Sequence, residues 1–486
     1  MAVAVKKTDL YIHNLRARMP FRYGIAEMTV MPHLFVFAKC RIDGICQVGI
    51  SADNLAPKWF TKNPHTTYQQ DILEIIQVIN SACRFAEQVG ESASVFDLWL
   101  SVYSLQMDWA VNEGYPPLLW NFGVSLIERA VMDAFCRSKE IRFSLALQQN
   151  LFGIRLGELH PQLARYEPVD FLPYQPLEKI FVRQTIGLSD PLTEDDIAPE
   201  DRLHDGLPQS LEAVIRTYNL SYFKIKISGN GFGDIYRLKE IAKLIERLAV
   251  SDFAFTLDGN EQFKSVTSLR LFWETLSQDS VLANFIEHML FVEQPINRDM
   301  ALTQETRRAL LTWDGRPPMI IDESDSQLKS LPIALACGYQ GTSHKNCKGV
   351  FKGIANACLL VQSARSDPNR VFILSGEDLI NIGPVSLLQD LAVMACLGIR
   401  HVERNGHYYF TGLSMFPEEL QEKVLLSYPD LYQDHQRGFA TLKISSGAIS
   451  IDSVIQSPFG PQFQLDASWF TPLEDWRFES LISYPS

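Results

Sequence analysis

Three short apolar runs in the middle of the chain each carry a carboxylate at or near their end. Ala254-Phe-Thr-Leu-Asp258 stops on Asp258, Leu290-Phe-Val-Glu293 carries Glu293, and Met319-Ile-Ile-Asp322 carries Asp322 with Glu323 behind it. The three acids are separated by roughly 30 residues, about one β/α unit. If the runs are neighbouring strands of a parallel barrel, their C-terminal ends bring the three carboxylates together, on the face where barrel active sites lie. Such a group repels itself in a low-dielectric mouth, and a divalent cation removes the conflict. An all-oxygen donor set without His or Cys favours magnesium over zinc or copper. A single acid after a buried strand is often only a helix N-cap; three in register form a stronger pattern.

Lysines flank this set. In Tyr222-Phe-Lys-Ile-Lys-Ile227 the two-residue period of a strand puts Lys224 and Lys226 on one face and Phe223, Ile225 and Ile227 on the other. Two lysines pointing into a barrel are costly unless anions compensate them; the alternative is an exposed edge strand. The segment 341–349 adds Lys345 and Lys348, one strand after the acids. In an eight-stranded barrel the second and sixth strands face each other, so Lys226 and Lys345 would approach a bound carbon from opposite sides. Lys348 reads as the start of the following loop. Glu377, in Ser375-Gly-Glu-Asp378, is a further strand-end acid that could meet substrate, a lysine, or simply cap a helix.

The elements that must position these residues follow from the texture of the chain. Residues 8–50 read as strands with a turn at Asp43-Gly44, and helical periodicity follows around 71–89 and 124–137. From about residue 180 short apolar runs alternate with helical segments as far as residue 403, which predicts parallel β/α units. About eight strands fit there, the number of a closed (β/α)8 barrel; an open doubly wound sheet is the structural alternative. No phosphate-binding glycine loop opens the series. The expected organisation is an α/β protein: an α+β capping domain over 1–178, a (β/α)8-type barrel over 179–410, and a segment 411–486 that packs back on the capping domain.

Composition bounds the partners. Of the 486 residues 46% are hydrophobic and 21% charged, and the net charge is −13. That describes a globular chain with a large core. The acidic balance argues against nucleic acid and anionic membranes, but a locally basic pocket can still take an anionic small molecule. The eight cysteines show no zinc spacing and read as reduced thiols. With no signal-like core or membrane span, the expected location is the cytoplasm.

The order and spacing of Lys224-Ile-Lys226, Asp258-Gly-Asn260, Val292-Glu293-Gln-Pro295, Asp322-Glu323-Ser324 and Lys345-Asn-Cys-Lys348-Gly349 resemble the enolase superfamily, in its mandelate racemase/muconate-lactonizing branch. The likeness covers most of the chain. Residues 125–134 are similar to the helix that leads from the capping domain into the barrel, and 20–24 to the mobile cap loop that contacts substrate, which makes Arg22 and Tyr23 candidates for that contact.

The resemblance implies a magnesium ion, with manganese as alternative, on Asp258, Glu293 and Asp322. Lys226 and Lys345 would be acid/base catalysts on opposite faces, with Lys224 holding the substrate carboxylate. Asn260, Glu323 and Glu377 are further candidates around them. A lysine on the sixth strand points to the muconate-lactonizing type. The implied chemistry is removal of a proton alpha to a carboxylate through a metal-stabilised enediolate, leading to racemisation, epimerisation or cycloisomerisation. The alternatives are a dehydratase or lyase at the same site and a retired, non-catalytic barrel. The partner is a small carboxylate, and a homo-oligomer is expected by analogy alone. The chain departs from the pattern in three places: a longer step between Asp258 and Glu293, Lys-Gly-Val-Phe-Lys-Gly after Cys347 in place of Gly-Gly, and an enlarged region over 52–120.

Overall fold

The computed structural model describes residues 1–23, 25–250 and 252–483, apart from the side chains of Tyr23 and Ala26. The chain begins with an antiparallel meander of β1 (Val3–Tyr23), β2 (Ala26–Ile42) and β3 (Ile45–Asn54). The β2–β3 hairpin turns at Asp43 and Gly44, both at positive φ (47° and 87°), the two-residue turn whose twist matches the flanking strands.

Three helices follow: α1 (Tyr68–Val89), α2 (Val95–Glu113) and α3 (Pro117–Ser138). Thr67 and Gln70 form a reciprocal cap at the start of α1, and proline opens α3, where a missing N–H costs nothing. The sequence pattern marks α1 and the body of α3. It passes over α2, whose buried residues include Gln106 beside Trp99, Val102 and Tyr103, so no clean polar face announces it. Helices α1 and α2 occupy the enlarged region 52–120.

Helix α3 is buried from Leu118 to Cys136 and ties the first part of the chain to the second. Arg129, fully buried, donates to Asp53 Oδ2 at 2.9 Å and to the Ala52 carbonyl at 3.0 Å on β3. On the barrel side, Glu128 accepts from the N–H groups of Val350 (2.9 Å) and Phe351 (2.6 Å). A carboxylate there satisfies the free donors at the start of helix Val350–Ser366. Asn121 donates to the Lys348 carbonyl at 2.9 Å. The loop holding Lys345 and Lys348 is therefore fixed from the N-terminal part of the chain.

The second part is a ring of eight parallel strands: β4 (Lys179–Ile186), β5 (Tyr222–Lys226), β6 (Ala254–Asp258), β7 (Met289–Glu293), β8 (Met319–Ile321), β9 (Gly341–His344), β10 (Ile373–Gly376) and β11 (His401–Glu403). β11 pairs back onto β4, His401 opposite Phe181. That pairing closes the barrel and removes the open-sheet alternative. Helices separate consecutive strands, and the longer step from β6 to β7 holds two, Val266–Ser277 and Ala283–Ile286. Residues beyond 410 touch both parts: Thr471–Pro472 pairs with β1, and Ala448–Ser450 runs antiparallel to the start of β4.

No described helix is long and apolar enough to cross a membrane. The cysteines are unpaired, all buried except Cys46.

The seat of α3 on β3 depends on Gly49, where an added Cβ would lie 2.0 Å from the Ala130 carbonyl oxygen and 2.3 Å from Ala134 N. Gly49→Ala is expected to lower stability by roughly 1–3 kcal/mol, the range for overpacking a close contact. Thermal or denaturant unfolding checks this; an unchanged midpoint would mean that α3 does not sit there.

Candidate functional site

The C-terminal ends of the barrel strands carry an ion network built around Lys224. This side chain, 1% exposed, leaves β5 toward the barrel axis, with Phe223 and Ile225 buried on the opposite face as the two-residue period requires. Its ammonium group lies 3.0 Å from Asp258, 2.9 Å from Glu293, 2.7 Å from Glu377 and 3.0 Å from Glu403. These carboxylates come from the ends of β6, β7, β10 and β11. Two residues along β5, Lys226 pairs with Asp258 Oδ2 at 2.5 Å.

A second cluster faces it. Asp322, just past β8, receives Lys345 at 2.6 Å on Oδ2 and Lys348 at 3.0 Å on Oδ1. The Ser343 hydroxyl also donates to Oδ1. Arg183, wholly buried on β4, donates to Glu377, to Ser375 Oγ at 2.8 Å and to the Gly376 carbonyl at 2.9 Å. Formally, five carboxylates (Asp258, Glu293, Asp322, Glu377 and Glu403) face five cations (Arg183, Lys224, Lys226, Lys345 and Lys348).

Burial and pairing compete at each group. Burial opposes the charged form of Lys224, but its four carboxylates hold it well above the ordinary lysine range. Lys345 goes the same way: burial would lower it, but Asp322, together with Glu293 and Glu377, raises it on balance. Asp258, buried but flanked by Lys224 and Lys226, falls to about 2. Asp322 lies well below the usual range because Lys345 and Lys348 outweigh its burial. Glu293 goes the other way: burial, reinforced by Glu377, pushes it well above the usual range despite Lys224.

The donor chemistry of Asp258, Glu293 and Asp322 fits magnesium. All three are buried carboxylates, and Glu293 feels the charge of both Asp258 and Asp322. Among the described residues, however, no three acid, histidine or cysteine side chains stand in a ready-made metal cluster. The ammonium of Lys224 bridges Asp258 and Glu293, while Lys345 and Lys348 hold Asp322. The network in this arrangement is neutralised by lysines.

No family model and no curated protein matches the sequence. Solved structures do match in shape. A muconate lactonizing enzyme from Pseudomonas fluorescens, complexed with muconolactone, aligns with a TM-score of 0.58 at 14% identity, over 97% of this chain and 100% of that one. The N-succinyl Arg/Lys racemase of Bacillus cereus aligns at 0.54 and 15%, over 93% and 97%. A dipeptide epimerase of Enterococcus faecalis, complexed with Mg and L-Leu-L-Tyr, aligns at 0.55 and 12%, over 84% and 92%. The fold is that of the enolase superfamily.

Within this enolase-superfamily fold, the residues singled out from the sequence divide. Lys224, Lys226, Asp258, Asn260, Asp322 and Lys345 line one cavity, and Glu293 and Glu377 lie behind it on Lys224. Lys348, read as a loop residue, is buried and bound to Asp322. Glu323 is turned to one side, toward Asn260 Nδ2 (2.9 Å) and Lys62 (3.1 Å). Arg22 does not reach the cavity; it pairs with Glu27 at 2.7 Å on the exposed side of the β1–β2 hairpin. In that hairpin Phe21 opposes Met28, and these two side chains line the cavity instead. The side chain of Tyr23, and Gly24 in the cap-loop segment, lie outside the described residues.

Several residues of the site escape sequence reasoning. Glu403 is a strand-end acid like the others, and the rule that finds Asp258 would find it had the three-residue strand β11 been weighed as a site. Arg183 becomes meaningful only once β4 and β11 close the ring. The loop after β3 covers the mouth: Lys62 pairs with Glu261 and Glu323, and Arg298 grips the carbonyls of Trp59 (3.0 Å) and Phe60 (2.7 Å). The Trp59 ring stands 4.8 Å from the Lys345 ammonium, within cation–π range.

On the far rim, Ile380 has φ of +55°, a disfavoured conformation for a β-branched residue that costs about 1–3 kcal/mol. Asp378 holds its N–H at 3.0 Å, and Asn54, reaching across from the end of β3, donates to the Leu379 and Ile380 carbonyls at 3.1 and 3.0 Å. Arg404 anchors Asp378 in turn at 2.8 Å. Between these walls the free space is about 40 Å³, so a substrate must displace part of the cover.

Lys224→Met removes the shared cation and leaves its four carboxylates buried. At neutral pH the loss of stability is expected to be roughly 3–5 kcal/mol. Without the cation the folded-state pKa values of these acids rise above their unfolded values. The penalty is therefore greatest above the raised values and shrinks as pH falls toward the unfolded carboxylate range near about 4. Denaturant unfolding of both proteins across pH 4–8 checks this; a pH-independent difference would mean that Lys224 is not the common counter-ion.

Proposed function

We propose that the chain abstracts a proton alpha to a carboxylate and then either returns a proton to the opposite face, as a racemase or epimerase, or expels an intramolecular beta leaving group from the same intermediate, as a cycloisomerase. The observation that carries this reading is the placement of Lys226 and Lys345. They stand at the ends of β5 and β9, four strands apart in a closed ring of eight, and both line the one cavity that also exposes Asp258 and Asp322. Two acid/base groups on opposite sides of a single space suit inversion at carbon. The racemase, epimerase and lactonizing enzyme with similar folds support the same class of reaction.

In this reading the substrate carboxylate enters beside Lys224, which lines the cavity. Lys345 starts as the proton donor, because Asp322 holds it in the charged form. Lys226 is the group that takes the proton, and it does so as the neutral amine, after giving its own proton to solvent: the C–H bond breaks, the proton passes to its Nζ, and negative charge moves into the substrate carboxylate. Lys345 then delivers a proton to the other face, and the two lysines have exchanged roles. Asp258, Glu293 and Asp322 would hold magnesium, which when bound supplies the fixed positive charge that makes the alpha proton acidic. Arg183 keeps Glu377 in place behind Lys224. The cover formed by Trp59, Phe21 and Met28 excludes water, which strengthens every charge interaction inside.

Incubation with a library of carboxylates in deuterated water, with magnesium and with chelator, tests the proposal. Deuterium is expected at the alpha carbon of at least one compound only when magnesium is present, and Lys226→Ala and Lys345→Ala should each abolish inversion, lowering it by at least roughly a hundredfold. Inversion that survives in Lys226→Ala would sink the assignment.

A further inference from the structure

The cavity has two unlike halves. One is the ion network. The other is hydrocarbon: Phe21 and Met28 from the β1–β2 hairpin, Ala56 and Trp59 from the loop after β3, and Leu379 and Ile380 from the loop after β10. We infer that the substrate is a carboxylate bearing an apolar arm, and that the site discriminates against polyhydroxylated acids. The inference rests on the proton-abstraction reading for its chemistry, but its own content is the shape and polarity of the pocket.

The polar side chains beside the apolar half argue the same way, because they are already engaged with the protein. Asn405 donates to Thr185 Oγ1 (3.1 Å) and Glu403 (2.9 Å), and its Oδ1 accepts from Thr185 N at 3.3 Å. Asn260 donates to Glu323 at 2.9 Å, and its Oδ1 receives Lys62 at 3.4 Å. Asp378 receives Arg404 on one oxygen and the Ile380 N–H on the other. A row of substrate hydroxyls would lose water and find few open partners, which is unfavourable in an enclosed site. The strain at Ile380, held through Asn54, Asp378 and Arg404, fits a rim whose apolar side chain must stand where it does.

The decisive comparison uses ligands that share a head group. N-acetyl-L-leucine, its near-isostere N-acetyl-L-asparagine, N-acetyl-L-alanine and D-gluconate are titrated against the full chain in magnesium buffer by calorimetry, and each is followed for alpha-deuterium uptake. The leucine derivative is expected to bind at least roughly tenfold more tightly than the asparagine derivative and gluconate. Ile380→Gly suits the positive φ and should fold. It should weaken the leucine derivative by about tenfold while leaving the alanine derivative unchanged.

Equal or tighter binding of gluconate or of the asparagine derivative overturns the inference, with or without exchange, and so does failure of the leucine derivative to bind. Preference for the leucine derivative with no deuterium uptake in any compound upholds the apolar half and counts against proton abstraction instead, so the two readings fail separately.

Discussion

An ammonium group sealed from water must find its counter-charges within hydrogen-bonding distance, and Lys224 finds four. Each belongs to a different strand, so the contact exists only while β5, β6, β7, β10 and β11 keep their registers around a closed ring. The dependence is mutual. Without the barrel the carboxylates would disperse into solvent; without the lysine they would repel one another in a medium that screens poorly. A buried ion pair is weak evidence of net stability, since desolvation can cancel its attraction. A five-against-five network at strand ends is better understood as a specification: it penalises arrangements in which one strand slips, because a slip leaves an unpaired charge inside.

The same constraint explains why so much of the N-terminal part is committed to the mouth of the barrel. Helix α3 presents Glu128 to the start of helix Val350–Ser366 and Asn121 to the Lys348 carbonyl, fixing the loop that carries Lys345. The loop after β3 brings Lys62 to Glu261 and Glu323, and Asn54 reaches the rim beyond β10. Charges at the barrel mouth would otherwise be hydrated, and hydrated ammonium and carboxylate groups lose most of their mutual attraction. The cover is a condition for the network's electrostatics as well as a wall of the cavity.

What the sequence reveals follows from the range of the interactions involved. Period two within one strand puts Lys224 and Lys226 on one face, and apolar runs ending in acids mark Asp258, Glu293 and Asp322, because these are signals local to five or six residues. The barrel is legible for the same reason: each β/α unit announces itself. Closure is not local, so Arg183, which joins the network only once β4 and β11 meet, carries no sign of it. The phase of a hairpin is equally hidden. Phe21 and Arg22 are neighbours in a strand with opposite faces, and only the packing of the cap on the barrel decides that Phe21 turns in and Arg22 out. Trp59 and Lys62 lie in a Pro-rich loop with no periodicity, and their partners, Lys345 and Glu323, are more than two hundred positions away.

The tension between a locked network and a working site has a physical resolution in the unequal grip on its members. Lys224 is held by four carboxylates, whereas Lys226 and Lys345 are each held by one, Asp258 and Asp322. Any ligand that competes for those two carboxylates, or offers its own negative charge between the two ammonium groups, frees the lysines facing the cavity while leaving the central one in place. The groups that must move are thus the ones most easily released, and the group that organises the strands is the one that stays. A site built this way can exchange its counter-ions on binding without loosening the barrel, because strand-end geometry is set by Lys224 and Arg183, and neither faces an empty side of the cavity alone.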